Sequence, residues 1–187
     1  NLLLKDKTTE INMKIGFCGT MSVGKTTLVN ALKELPEFKD YHFRTERSKH
    51  LMNLGIPLNT DSTLKGQLVF ASERAAELMQ EKIITDRTVI DVMAFCDLSK
   101  SMDSAHKFYL NATLTFLINE YDVLFYVSPE GVEIEDNGVR ETNAEYRDAI
   151  DKKIKSIVQM HRSNAVTIKG TVEERIKQVK KAVAQYV

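Results

Sequence analysis

Few cysteines, no excess of either charge and no long apolar run set the first limits on this chain of 187 residues. Its two cysteines, Cys18 and Cys96, lie in apolar contexts and are not spaced as metal ligands. They read as core thiols of a reducing compartment, not as a disulfide framework. Lysine and arginine number 26, as do aspartate and glutamate, so no global field draws the chain to nucleic acid or to a membrane. No apolar stretch approaches the ~20 residues of a membrane span. The segment Asn1 to Lys7 is too short and too charged for a secretory signal. Met13 is the expected natural start, with residues 1–12 an extension or tag remnant, and the expected location is cytoplasmic. His42, His50, His106 and His161 share no metal-ligand spacing. There is no internal repeat, low-complexity tract or long linker.

A chain of this size buries roughly 70% of its unfolded surface and needs no covalent staple. One domain over 13–187 is therefore expected. Apolar runs alternate with amphipathic stretches. Met13–Cys18, Lys82–Asp86, Asp122–Ser128 (stopped by Pro129) and Ala165–Ile168 read as buried strands. Tyr41–Thr45 alternates large and polar residues and reads as a more exposed strand near a sheet edge. Between them lie helical stripes: Leu64, Leu68, Ala71, Ala75 and Leu78; Tyr146, Ile150, Ile154 and Ile157; Val172, Ile176, Val179, Val183 and Tyr186. Five strands alternating with helices predict an α/β fold with a parallel sheet covered on both faces. The least periodic stretch, Pro129 to Thr142, reads as a mobile loop.

The most specific feature is Gly19-Thr20-Met21-Ser22-Val23-Gly24-Lys25-Thr26, which fits G-x-x-x-x-G-K-[ST] at every fixed position. Chance gives this pattern in well under roughly 1 in 100 chains of this length. It lies between an apolar strand and a helix, as a phosphate-binding loop must. The glycines let the backbone wrap round a phosphate chain with its N–H groups turned inward. Lys25 reaches the β- and γ-phosphates and the Thr26 hydroxyl ligates Mg²⁺. The helix that follows points its positive end at the same anion, so Gly19 and Met21 through Thr27 form the expected nucleotide cradle.

Ligands of an open parallel sheet sit at the carboxyl ends of the strands. The second strand delivers Glu46 and Arg47 there, the third Asp86 and Arg87, the fourth Ser128, Pro129 and Glu130. Asp86 can hold the Mg²⁺ shell or take a hydroxyl proton; as an alternative it caps the helix that follows. Glu46 is a candidate base or hydroxyl ligand that orients an acceptor; as an alternative it is a solvated charge at a helix start. Arg87 and Arg47 can clamp phosphate. Arg140 and Arg147, on or just after the loop, can neutralise charge on a transferred phosphoryl group, or pair with nearby acids. Gln67 can hydrogen-bond a base, or be an exposed helix residue.

With these residues together, the chain resembles the small P-loop kinases of the ribosylnicotinamide-kinase type, grouped with a compact AAA-type ATPase domain common in bacteriophages and bacteria. The more specific parts of the likeness are Asp86-Arg87-Thr88-Val89-Ile90-Asp91 and the segment Asn137-Gly138-Val139-Arg140 with Arg147 downstream. It covers about Met13 to Val183. It implies a nucleoside/nucleotide-kinase fold with strand order 2-3-1-4-5, and ATP and Mg²⁺ as cofactors. It also implies a lid near 129–147 carrying Arg140 and Arg147, with Glu46 and Asp86 facing the acceptor. For a phage-encoded chain the location would be the host cytoplasm.

Three functions follow. The first is a kinase moving the γ-phosphoryl group of ATP to a hydroxyl of a nucleoside-like or nucleotide acceptor. The second is a kinase for a nucleoside monophosphate, gripped by Arg44, Arg47, Arg74 and Arg87, or for 5-hydroxymethyluracil in DNA. The third is a regulatory NTPase, which the missing N-K-x-D and D-x-x-G segments disfavour. Homo-oligomers remain open.

Overall fold

The computed structural model describes residues 12–45, 48–131 and 143–186. Among the described residues there are five short strands: β1 (Lys14–Cys18), β2 (His42–Arg44), β3 (Ile83–Thr85), β4 (Val123–Val127) and β5 (Val166–Ile168). All pairings are parallel, and the order across the sheet is β2-β3-β1-β4-β5. The central strands are the most apolar because both of their faces are covered; all five residues of β4 are buried. On β2 only Phe43 is even partly buried, as its edge position requires. The strands are shorter than the sequence runs that predict them, by one residue at some ends.

Helices cover both faces. On one face α1 (Lys25–Lys33) and α7 (Val172–Tyr186) enclose Ile15, Phe17, Leu28, Leu32, Phe125 and Val179. There Phe17 stacks on Phe125 with ring centroids 4.9 Å apart. On the other lie α3 (Leu64–Glu77), α4 (Val89–Asp97), α5 (Ser104–Thr115) and α6 (Ala144–His161). A short α2 (Ser48–Asn53) follows β2. No described helix is long and apolar enough to cross a membrane.

The helix starts are written in the sequence as caps. Thr63, Asp103 and Asn143 each accept a main-chain N–H three residues on. Thr171 and Glu174 reciprocate as a capping box at α7, and Thr88 and Asp91 do so at α4. Helix α4 is buried almost all round, so it lies beneath its neighbours, not on the surface. One helix, α5, has no counterpart in the sequence reading. In α5 only Leu110 and Leu114 are buried, whereas Phe108 and Tyr109 are exposed. Those aromatics blur the apolar stripe.

One glycine of β1 positions the site indirectly. A Cβ on Gly16 would lie 2.7 Å from both Thr88 Cγ2 and Tyr121 Cδ1. Its absence lets the cap of α4 and the Tyr121 ring close onto the strand. The Tyr121 hydroxyl then accepts the Val89 N–H at 3.2 Å. Gly16→Val should therefore destabilise the fold by about 1–3 kcal/mol through overpacking, read as a lower denaturant midpoint with an unchanged slope. An unaltered midpoint would show that α4 does not depend on this close approach.

Candidate active site

At the carboxyl end of β1 the chain leaves the sheet and wraps through Gly19–Gly24 into α1. Two backbone features bend it. Ser22 and Gly24 have positive φ values of 58° and 79°, and Gly24 is the residue that enters the helix. Gly19 is required for a different reason: a Cβ there would lie 2.9 Å from the Val127 carbonyl at the end of β4.

Six consecutive carbonyls of this loop have a donor. Lys25 Nζ donates to Gly19 O at 2.6 Å and Thr20 O at 2.7 Å. Arg147 donates from Nε to Met21 O at 3.2 Å and from Nη2 to Ser22 O at 3.1 Å. Arg175 Nη1 donates to Val23 O at 2.5 Å. The Leu28 N–H closes the series on Gly24 O at 3.0 Å, the first bond of α1. The loop is tied again at its start, where the Gly19 N–H donates to Asp91 Oδ1 at 3.1 Å.

Lys25 is buried. Burial, together with the nearby Arg87 guanidinium, pulls its ammonium down to about 8, against the opposing pull of Asp91 and Asp86. Burial pushes the neighbouring Cys18 thiol well up, which leaves it a neutral core side chain.

Asp86 stands at the end of β3 and is 1% exposed. The Thr26 hydroxyl donates to its Oδ2 at 2.7 Å, while its Oδ1 is buried with no partner. The cap of α4 is Thr88, whose hydroxyl accepts the Ile90 N–H, so the capping alternative for Asp86 falls. An orphaned buried carboxylate oxygen beside a threonine hydroxyl is a hard-oxygen donor set, which fits Mg²⁺.

Arg87 lines the same concavity as Met21, Ser22, Val23, Gly24, Lys25 and Thr26. Its Nη1 lies 3.9 Å from Asp91 Oδ1, and its guanidinium sits 5.0 Å from the centroid of the Phe95 ring. Asp91 is wholly buried. It joins the loop to α4, because its Oδ2 accepts both the Thr88 N–H at 2.8 Å and the Thr88 hydroxyl at 2.9 Å.

Gln67 is 3% exposed, which removes the alternative of an exposed helix residue. Arg74, a candidate for gripping phosphate, is taken by Glu77 in a bidentate pair with both bonds at 2.7 Å. Glu130 is exposed and meets Lys169 at 3.3 Å. Arg147 lies against the loop carbonyls just described, not among the groups that line the concavity. Thr27 is exposed in the first turn of α1. Glu46, Arg47 and Arg140, residues 1–11 and most of the stretch 129–147 lie outside the described residues. Arg175 was missed. Its signal was present, since it falls between Val172 and Val179 on the apolar stripe of α7, where a charged residue needs a partner.

No functionally curated protein matches this sequence. Solved structures do match in fold. NadR protein in complex with NR gives a TM-score of 0.67 at 13% identity, covering 94% of this chain and 52% of that one. Thymidylate kinase from Candida albicans gives 0.64 at 13% identity, covering 93% and 92%. Deoxyadenosine kinase from M. mycoides, with products dCMP and a flexible dCDP bound, gives 0.55 at 18% identity, covering 92% and 97%. The present chain thus spans about half of the NadR chain and nearly all of the other two. The sheet order and the helix-covered faces are those of the P-loop nucleoside and nucleotide kinase fold. A sequence model described as an AAA domain matches residues 14–175, and the chain belongs to that AAA-domain family.

Proposed function

We propose that this protein is an ATP-dependent kinase that transfers the γ-phosphoryl group to a hydroxyl of a nucleoside-like or nucleotide acceptor. One observation carries the reading: beside the phosphate loop, a strand-end carboxylate accepts the Thr26 hydroxyl and keeps its other oxygen buried and unpartnered. That pair suits a Mg²⁺–nucleotide, which phosphoryl transfer requires. The likeness to nucleoside and nucleotide kinases in fold supports the same reading.

In this mechanism the loop amides and the Lys25 ammonium hold the phosphates. Thr26 and Asp86 would hold Mg²⁺, which would supply charge neutralisation at the phosphates. With Asp86 engaged in that way, Glu46 is assigned the acceptor hydroxyl. The hydroxyl oxygen attacks the γ-phosphorus, the bond to the ADP oxygen breaks, and the hydroxyl proton passes to the Glu46 carboxylate. Arg87 and Arg140 offset the charge that develops on the transferred group. Arg140 belongs to the segment before α6 that the sequence reading assigns as a lid, whose proposed role is to exclude water and so favour transfer over hydrolysis. The Arg74–Glu77 pair removes one guanidinium from the set that would grip an acceptor phosphate. That favours a nucleoside-like acceptor over a monophosphate.

Two outcomes test the reading. Lys25→Ala should lower kcat/KM for ATP by about 100-fold or more with little change in Tm, measured by coupled turnover and thermal melting. Near-normal turnover would remove the assignment. The second outcome concerns pH. ATP needs the protonated ammonium, and the Lys25 pKa in the free protein is about 8. Affinity should be full below that value and should fall as pH rises through it, approaching about tenfold per pH unit. Equilibrium binding of a non-hydrolysable ATP analogue from neutral to alkaline pH reads this directly. A flat profile up to the ordinary lysine range would show that Lys25 is not the titrating contact.

A further inference from the structure

We propose that Arg147 and Arg175 form a two-arginine brace that aims the main-chain N–H groups of Ser22, Val23 and Gly24 at the polyphosphate. The inference rests on the kinase reading above and adds to it two positioning residues. Neither was read from the sequence in this role.

The argument begins with peptide geometry. In a trans peptide the C=O of one residue and the N–H of the next point in opposite directions, and no cis peptide occurs among the described residues. Fixing the carbonyl of residue i therefore fixes the direction of the N–H at i+1. The Met21 and Ser22 carbonyls are held by Arg147 and the Val23 carbonyl by Arg175. The N–H groups they govern belong to Ser22, Val23 and Gly24, and each turns away from its guanidinium. Residues 21–24 line the concavity together with Lys25, Thr26 and Arg87.

Neither arginine is a casual surface contact. Arg147 is 9% exposed and Arg175 is 3% exposed. Both are anchored at a second point. The Arg147 carbonyl accepts the Thr20 hydroxyl at 2.9 Å, and Arg175 Nε donates to the Gly170 carbonyl at 2.9 Å. The brace thus reaches the loop from two separate elements, the first turn of α6 and the first turn of α7. Its chemistry suits the task. A neutral donor would satisfy the same carbonyls, but a guanidinium also polarises each peptide, which makes the opposite N–H a stronger donor to an anion. A positive-φ serine at position 22 is a conformation that needs such outside support.

The test uses the full chain and inorganic tripolyphosphate, which has no base or sugar. Arg175→Ala should weaken tripolyphosphate binding by about tenfold, the size expected for losing one charged hydrogen bond. Arg175→Lys should recover part of it, because a lysine can reach one carbonyl but cannot fork to Gly170 as well. KM for ATP should rise while KM for the acceptor stays unchanged. Amide hydrogen exchange should accelerate at residues 22–24 and stay unchanged in α4. Arg175→Lys keeps the charge, so it reads the brace even where the alanine variant folds poorly. Folded variants that bind tripolyphosphate as tightly as the native chain would overturn the brace and leave the kinase reading intact. A native chain that binds neither tripolyphosphate nor ATP would overturn that reading itself.

Discussion

A main chain can hold a polyphosphate with its N–H groups only if its own carbonyls are turned away and satisfied elsewhere. That constraint organises this molecule. Between Gly19 and Gly24 six carbonyls receive donors from four sources: one lysine inside the motif, two arginines outside it, and the Leu28 N–H that makes the first helical bond of α1. Unsatisfied buried carbonyls would each cost free energy comparable to a lost hydrogen bond. The loop's shape is thus set as much by what lies behind it as by its glycines.

Asp91 ties this arrangement to the sheet. It accepts from Gly19 at the loop's start and from Thr88 at the start of α4. Thr88 in turn packs where Gly16 leaves room on β1. Because β1 lies between β3 and β4, the end of β3 falls beside the loop, and Asp86 meets Thr26 there without a long side-chain reach. The parallel order is what turns sequence-distant acids and hydroxyls into one oxygen donor set.

The parts of this that the chain reveals on reading are those encoded locally. The phosphate loop shows in its spacing. The sheet shows in its apolar runs, and Asp86 shows because a strand end beside that loop is a defined address. The α5 helix stayed hidden because its exposed aromatics disturb the helical period. Gln67 looked equally suited to the surface because burial of a lone polar residue leaves no periodic mark. Arg147 follows Arg140 by seven residues in the sequence, which suggested a common lid. Its placement against Met21 and Ser22 depends on how α6 packs, and no local signal encodes that. Arg175 meets its partner 152 positions away, and only its place on the apolar stripe of α7 hinted at a need for one.

The kinase reading is most directly tested by following the γ-phosphate of labelled ATP. The chain would be offered nucleosides, nucleoside monophosphates, nicotinamide riboside and hydroxymethyluracil-containing DNA. Label should appear on the hydroxyl of one nucleoside-like acceptor, in amounts matching the ADP formed, with little free phosphate. Label released wholly as inorganic phosphate, whatever acceptor is present, would contradict phosphoryl transfer and leave a nucleotide hydrolase in its place.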